Sequence, residues 1–224
     1  MPGKSFTKPK KGQGGNLPLG KRYLEDLATK FLPNAYPIVN KICTDRVTHR
    51  PISASIYGIT GQKTEDDPRL SMPLEKLSLK DVIELLDHFT FQIDTYLNGT
   101  KIEGDSYVLS GKLPSKPKAS HSGHDFSSTF DELSLIDIAE LLDQATFTMT
   151  NHSSGQSKSY EILGAIENDV EEDAGANSHL TSPVAPLRPK YILILLRFFR
   201  FTATPTNPGQ GTGVNFVFGK GLGE

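Results

Sequence analysis

The segment LSLKDVIELLDHFTF, Leu77 to Phe91, returns 56 residues later as LSLIDIAELLDQATF, Leu133 to Phe147, with ten of fifteen positions identical. A repeat of this length constrains the fold more than any single motif, because both copies must take the same local structure and bury the same face. Ser78 and Ser134 each precede an apolar-periodic run, with Asp81 and Asp137 three residues on. That pattern predicts a serine N-cap followed by an acidic first turn, which answers the unpaired amides and positive end of a helix. Leu79, Val82, Ile83 and Leu86 in one copy, and Leu135, Ile138, Ala139 and Leu142 in the other, fall at i, i+3, i+4 and i+7. The reading is a short helix with Leu86 and Leu142 among its inward residues.

Immediately afterwards the apolar period changes from 3.6 to 2. Phe89, Phe91 and Ile93, and then Ala145, Phe147 and Met149, alternate with polar residues, as in a strand that leaves the helix almost without a connection. Asn98–Gly99 and Ser153–Gly155 supply turns, and the return strands end at Gly111 and Gly164. The unit is helix, strand, turn, strand, at 72–111 and again at 128–164. A fainter third correspondence sets Phe199 and Phe201 on Ala145 and Phe147. There YILILLRFF is rich in β-formers, so 191–203 reads as strand within a C-terminal β-hairpin, 191–219, although Pro189 would suit a first helical turn.

Upstream, Tyr23, Leu24, Leu27 and Phe31 have helical spacing that Pro33 ends, and 50–60 alternates as a half-buried strand. Residues 61–71, 112–128 and 167–186 read as polar loop, Pro/Ser/Lys linker and long loop. The expected class is α+β: an antiparallel sheet with short helices on one face, built from a duplicated helix–strand–turn–strand unit. The order βαββαβ over its first part resembles ferredoxin-like connectivity. Residues 17–224 form one domain behind a flexible basic arm of Gly, Lys and Pro, 1–16.

Charge is unevenly spread beneath a net −2. Lys4, Lys8, Lys10, Lys11, Lys21, Arg22 and Lys30 face only Glu25 and Asp26 within residues 1–30, whereas 161–180 carries six acids and no Lys or Arg. A single cysteine, Cys43, excludes an intramolecular disulfide and a cysteine zinc site. The N-terminus lacks the apolar run of a secretory signal. The most apolar stretch, Tyr191 to Phe201, holds Arg197 and Arg200 and is too short for a bilayer crossing of about 20 residues. The expectation is a cytoplasmic protein, or one within an intracellular assembly, and not an integral membrane protein.

Candidate chemistry is sparse. Asp81, Glu84 and Asp87, with Asp137, Glu140 and Asp143, offer carboxylates that can bind metal or divide acid and base work. With the apolar stripe inward, they read instead as a solvated helix face. His121 and His124 lack a third zinc ligand nearby, and ENDVEED lacks the donor pattern of a calcium loop. Gly3–Ser5 and 209–213 lack the strand and helix context of phosphate or dinucleotide loops. The sequons at Asn98 and Asn151 read as turn chemistry. No catalytic residue, metal or cofactor is assigned, and the chain does not read as an enzyme. Lys4, Lys8, Lys10, Lys11, Lys21 and Arg22 are the candidate contacts to a polyanion or partner. The expected function is a structural, self-associating protein of coat, matrix, sheath or scaffold type, joined through sheet edges and charged extensions. The alternative is nucleic-acid binding by the arm and a sheet face.

Overall fold

The computed structural model describes residues 17–27, 39–44, 51–60, 67–97, 100–166, 178–196, 198–207 and 214–217. Its strands are β1 (Val39–Thr44), β2 (Pro51–Thr60), β3 (Phe89–Leu97), β4 (Thr100–Lys112), β5 (Thr146–Asn151), β6 (Ser157–Ile166), β7 (Phe199–Pro205) and β8 (Val214–Val217). Each pairs antiparallel with the next in sequence, in one sheet of order β1 to β8. The sheet curls until β1 and β8 lie in contact. Helices α1 (Leu79–Leu85), α2 (Leu135–Leu142) and α3 (Pro189–Leu196) run directly into β3, β5 and β7. The class is α+β.

Register sorts the strand residues by face. Phe91 stands opposite Tyr107, Gly111 opposite Phe147, Phe147 opposite Tyr160, and Gly164 opposite Phe201. These positions line the inner face, where Phe89, Phe91, Phe147 and Phe199 form one core with Leu79, Ile83, Leu85, Leu135, Leu141 and Leu195 of the helices. Close approach of helix to sheet is permitted by glycine on the return strand. A Cβ at Gly111 would stand 2.2 Å from Cγ2 of Ile83, whereas one at Gly164 would crowd the Phe201 ring of β7 at 3.1 Å and reach Ala139, which stands 56 residues after Ile83, at an ordinary 3.4 Å.

What draws the helices to one end is a set of backbone joints. The N–H of Leu74 donates to Arg22 O (2.7 Å), Phe130 to Leu77 O (3.1 Å), Val184 to Leu133 O (2.8 Å), and Leu19 to Leu187 O (2.7 Å). Donor and acceptor within each segment are three residues apart, and the fourth joint returns to the first segment, so the joints close a ring. Leu74, Leu77, Phe130, Leu133 and Val184 are buried at this ring. Residues 18–21 and 73–76 make matching turns, proline followed by a 3-10 helix. Gly20 belongs to the closing joint, where its N–H donates to Ala185 O at 2.9 Å and an added Cβ would lie 2.8 Å from that of Ala185.

Several expectations need correction. The sheet is a sequential meander, without the crossovers that ferredoxin-like connectivity needs. Lys112 of β4 pairs with Thr146 of β5, so α2 returns the chain to the end it left rather than carrying it across. At seven or eight residues, and about 1.5 Å per residue, α1 and α2 are too short to do otherwise. Residues 189–196 are helix and strand begins only at Phe199, so the hairpin is Phe199–Pro205 with Val214–Val217, not 191–219. Pro189 at the first turn and the burial of Leu195 outweigh the β preference of isoleucine. Leu86 and Leu142 do pack against the core but are only half-buried, and the leucines of α1 and α2 that are fully buried are Leu85 and Leu141. At Leu86 α1 tightens into a 3-10 turn, Leu86–His88, which breaks the 3.6 period. Finally, 112–128 is no free linker. Phe126 is buried, and Lys80 N–H donates to its carbonyl at 2.8 Å.

Candidate functional site

Of the carboxylates flagged in the sequence, Asp81 and Asp137 lie at the starts of α1 and α2, whereas Asp87 and Asp143 follow their ends; the two starts share one skeleton. Ser78 Oγ accepts from Asp81 N–H (3.1 Å), while Asp81 Oδ2 accepts from the N–H (2.9 Å) and hydroxyl (2.6 Å) of Ser78. Ser134 and Asp137 repeat this at 3.1, 3.0 and 2.6 Å. Each is a reciprocal capping box.

A preceding segment completes each box differently. At α1, Arg69 arrives from the turn Pro68–Ser71 and donates to Asp81 Oδ1 (2.9 Å), Glu84 Oε2 (2.7 Å) and Asp67 Oδ2 (2.8 Å). At α2, Ser120 Oγ donates to Asp137 Oδ1 (2.6 Å). Beside it, His121 N–H donates to Glu140 Oε2 (2.9 Å) and its Nδ1 lies 2.8 Å from Oε1. Asp137 is 2% exposed, against the expectation of a solvated acidic face. Burial raises the cost of ionising Asp137, but hydrogen bonds from Ser120, Ser134 and Ser122 outweigh it and hold its carboxyl below the usual carboxylate range. At Asp81 burial is likewise outweighed, by Ser78 and then Arg69. The hydrogen bonds that Arg69 donates to Asp67, Glu84 and Asp81 stabilise its cation, raising its pKa.

These groups hold straps onto helices. Glu84 also faces Lys80 at 3.8 Å, and Asp87 lies 3.9 Å from His88. Among the described residues no three His, Cys, Asp or Glu side chains converge in a way that would hold a metal ion. Asn151 of the second sequon accepts from the amides of Ser153 and Ser154, at 2.9 Å each, through its side-chain oxygen.

The basic candidates separate. Lys4, Lys8, Lys10 and Lys11 lie outside the described residues, as do Asn98–Gly99 and 167–177. Lys21 and Arg22 sit at the ring. Lys21 Nζ is 2.5 Å from Glu75 Oε1, with its side chain 58% exposed, and Arg22 Nε donates to Leu17 O at 3.3 Å.

A surface feature missed by the sequence reading emerges when the segments are laid over one another. Ile194 of α3 is 49% exposed, at the position held by Glu84 in α1 and Glu140 in α2. Leu163 of β6 is 48% exposed, at the position held by Ser110 in β4. The signal lay in the repeat itself, as an apolar residue where another copy is polar. No helix among the described residues is long and apolar enough to cross a membrane. Comparison with protein-family models, with curated proteins and with solved structures gives no match.

Proposed function

We propose that this chain is a non-catalytic, self-associating structural protein built from four copies of one helix–hairpin unit, of which the two in the sequence repeat are the most alike. The joint residues Leu19, Leu74, Phe130 and Val184, spaced 55, 56 and 54 residues apart, support the fourfold reading. The observation that carries self-association is the apolar exposure of Ile194 and Leu163, where equivalent positions hold Glu or Ser. Because the same structural position accepts a polar residue elsewhere, folding does not demand the exposed apolar one, and we read the two side chains as available for association.

Contact between β1 and β8 moves the proposed association from sheet edges to outer faces. The arm, with Lys4, Lys8, Lys10 and Lys11, and the acidic 167–173 run supply opposite charges for contacts between copies. Each exposed pair contributes only about 0–1 kcal/mol, so such association is multivalent and weakens with salt. The nucleic-acid alternative rests on sequence charge alone.

Sedimentation velocity across a concentration series, at low and moderate salt, tests the proposal. Concentration-dependent growth in size is expected; a strict monomer under all conditions contradicts it. A gel shift at low salt, lost when Lys4, Lys8, Lys10 and Lys11 become Ala, would transfer the reading to nucleic acid.

A further inference from the structure

We propose that the outer face of β6 and β7 is a docking surface whose occupant is a second copy of this chain, an inference that rests on the self-association reading and names its face. In register, Glu161, Leu163 and Ala165 of β6 stand opposite Thr204, Thr202 and Arg200 of β7. These six point away from the core, since the alternating residues Ile162 and Phe201 pack against it. Glu161, Leu163, Ala165, Arg200 and Thr204 are all exposed.

The arrangement of charge selects the occupant. Glu161 and Arg200 leave the sheet four residues apart along the strand direction, with the Leu163–Thr202 pair midway between them. At 3.3 Å per residue the two charged positions are separated by roughly 13 Å. An apolar centre with opposite charges on either side is complementary to itself. One twofold axis in the contact plane sets Leu163 on Leu163 and places each Glu161 opposite the second copy's Arg200. The equivalent positions of β4 are Val108, Ser110 and Lys112, facing Thr150, Thr148 and Thr146 of β5. That outer face has neither the apolar centre nor the paired charges, so the layout belongs to β6 and β7 rather than to the fold in general.

With one leucine at its centre the contact is small, near the lower end of specific interfaces, and therefore weak and dependent on concentration and salt. Sedimentation velocity on the full chain, with melting and circular dichroism to verify folding, provides the test. Leu163→Ser should weaken self-association at least tenfold. Glu161→Arg and Arg200→Glu should each weaken it several-fold, because each puts like charges together. An equimolar mixture of the two charge variants should recover association. Across a mixed pair the introduced arginine of one copy faces the introduced glutamate of the other, and the native Arg200 faces the native Glu161. Wild-type protein that never associates overturns both this face and the self-association reading. Association that none of the three variants alters overturns the face and leaves that reading standing. Weakened single variants that fail to recover on mixing overturn the twofold pairing.

Discussion

The caps of α1 and α2 begin from the same Ser-x-x-Asp sequence and end in different chemistry. Asp81 keeps 29% of its side chain exposed and is completed by the Arg69 guanidinium, whereas Asp137 is buried and is completed by the Ser120 hydroxyl. A cation at the half-exposed site keeps part of its hydration, so the ion pair costs little to form. At the buried site, a second ion would have to be desolvated, and hydroxyl donors satisfy the carboxylate without that penalty. A repeated local motif thus specifies the helix start, while burial dictates which group finishes it.

Changes to the buried leucines should have the largest effect, and the same effect on both sides of the comparison. Leu85→Ala and Leu141→Ala, each at 0% exposure, should each cost on the order of 2–5 kcal/mol in chemical denaturation. A large difference between them would mean that α1 and α2 are not packed alike. The caps should then separate the sites. Asp137→Ala strands the buried hydroxyls of Ser120 and Ser134 and should cost about 2–3 kcal/mol. Asp81→Ala should cost about 1 kcal/mol, and equal losses would contradict the assignment of burial. Smaller again, Arg69→Met should cost roughly 0–1 kcal/mol and shrink further in high salt. Ser120→Ala should cost about 1 kcal/mol whatever the salt concentration.

The smallest effect is expected with pH. Asp81 and Asp137 ionise more readily folded than unfolded. Their stabilisation is complete above the unfolded carboxyl value, near 3.9, and is lost as pH falls through the lower folded values. Denaturation midpoints measured from pH 6 down to about pH 2 should show Asp137→Asn losing less stability than wild type over the acid limb. A parallel decline would remove Asp137 from the acid response.

The sequence made the local structure of the repeat readable, because Ser78 and Ser134 start helices and the change to period 2 at Phe89 and Ala145 marks the strands that begin at Phe89 and Thr146. It concealed how the copies meet. The joints are backbone hydrogen bonds, and their residues, from Leu19 to Val184, share only an apolar character and a spacing of 54 to 56. On the fourfold reading proposed above, the first helical turn, Leu24–Asp26, corresponds to α1, and the signal for it lay in Pro18–Leu19 and Pro73–Leu74, which open matching turns. Helix α3 was hidden by an isoleucine-rich segment in which tertiary burial, not propensity, decides. Burial of Asp137 was equally out of reach, because it depends on a strap 17 residues away in sequence folding back over α2.

Closure of the four segments into one ring is tested most directly by native-state amide exchange, read residue by residue by NMR. The amides of Leu19, Leu74, Phe130 and Val184 each donate to the preceding segment around the ring. All four should be protected and should open together, as members of one cooperative structure. Protection at Leu74, Phe130 and Val184 with free exchange at Leu19 would contradict closure, leaving an open row of three joints in place of a ring.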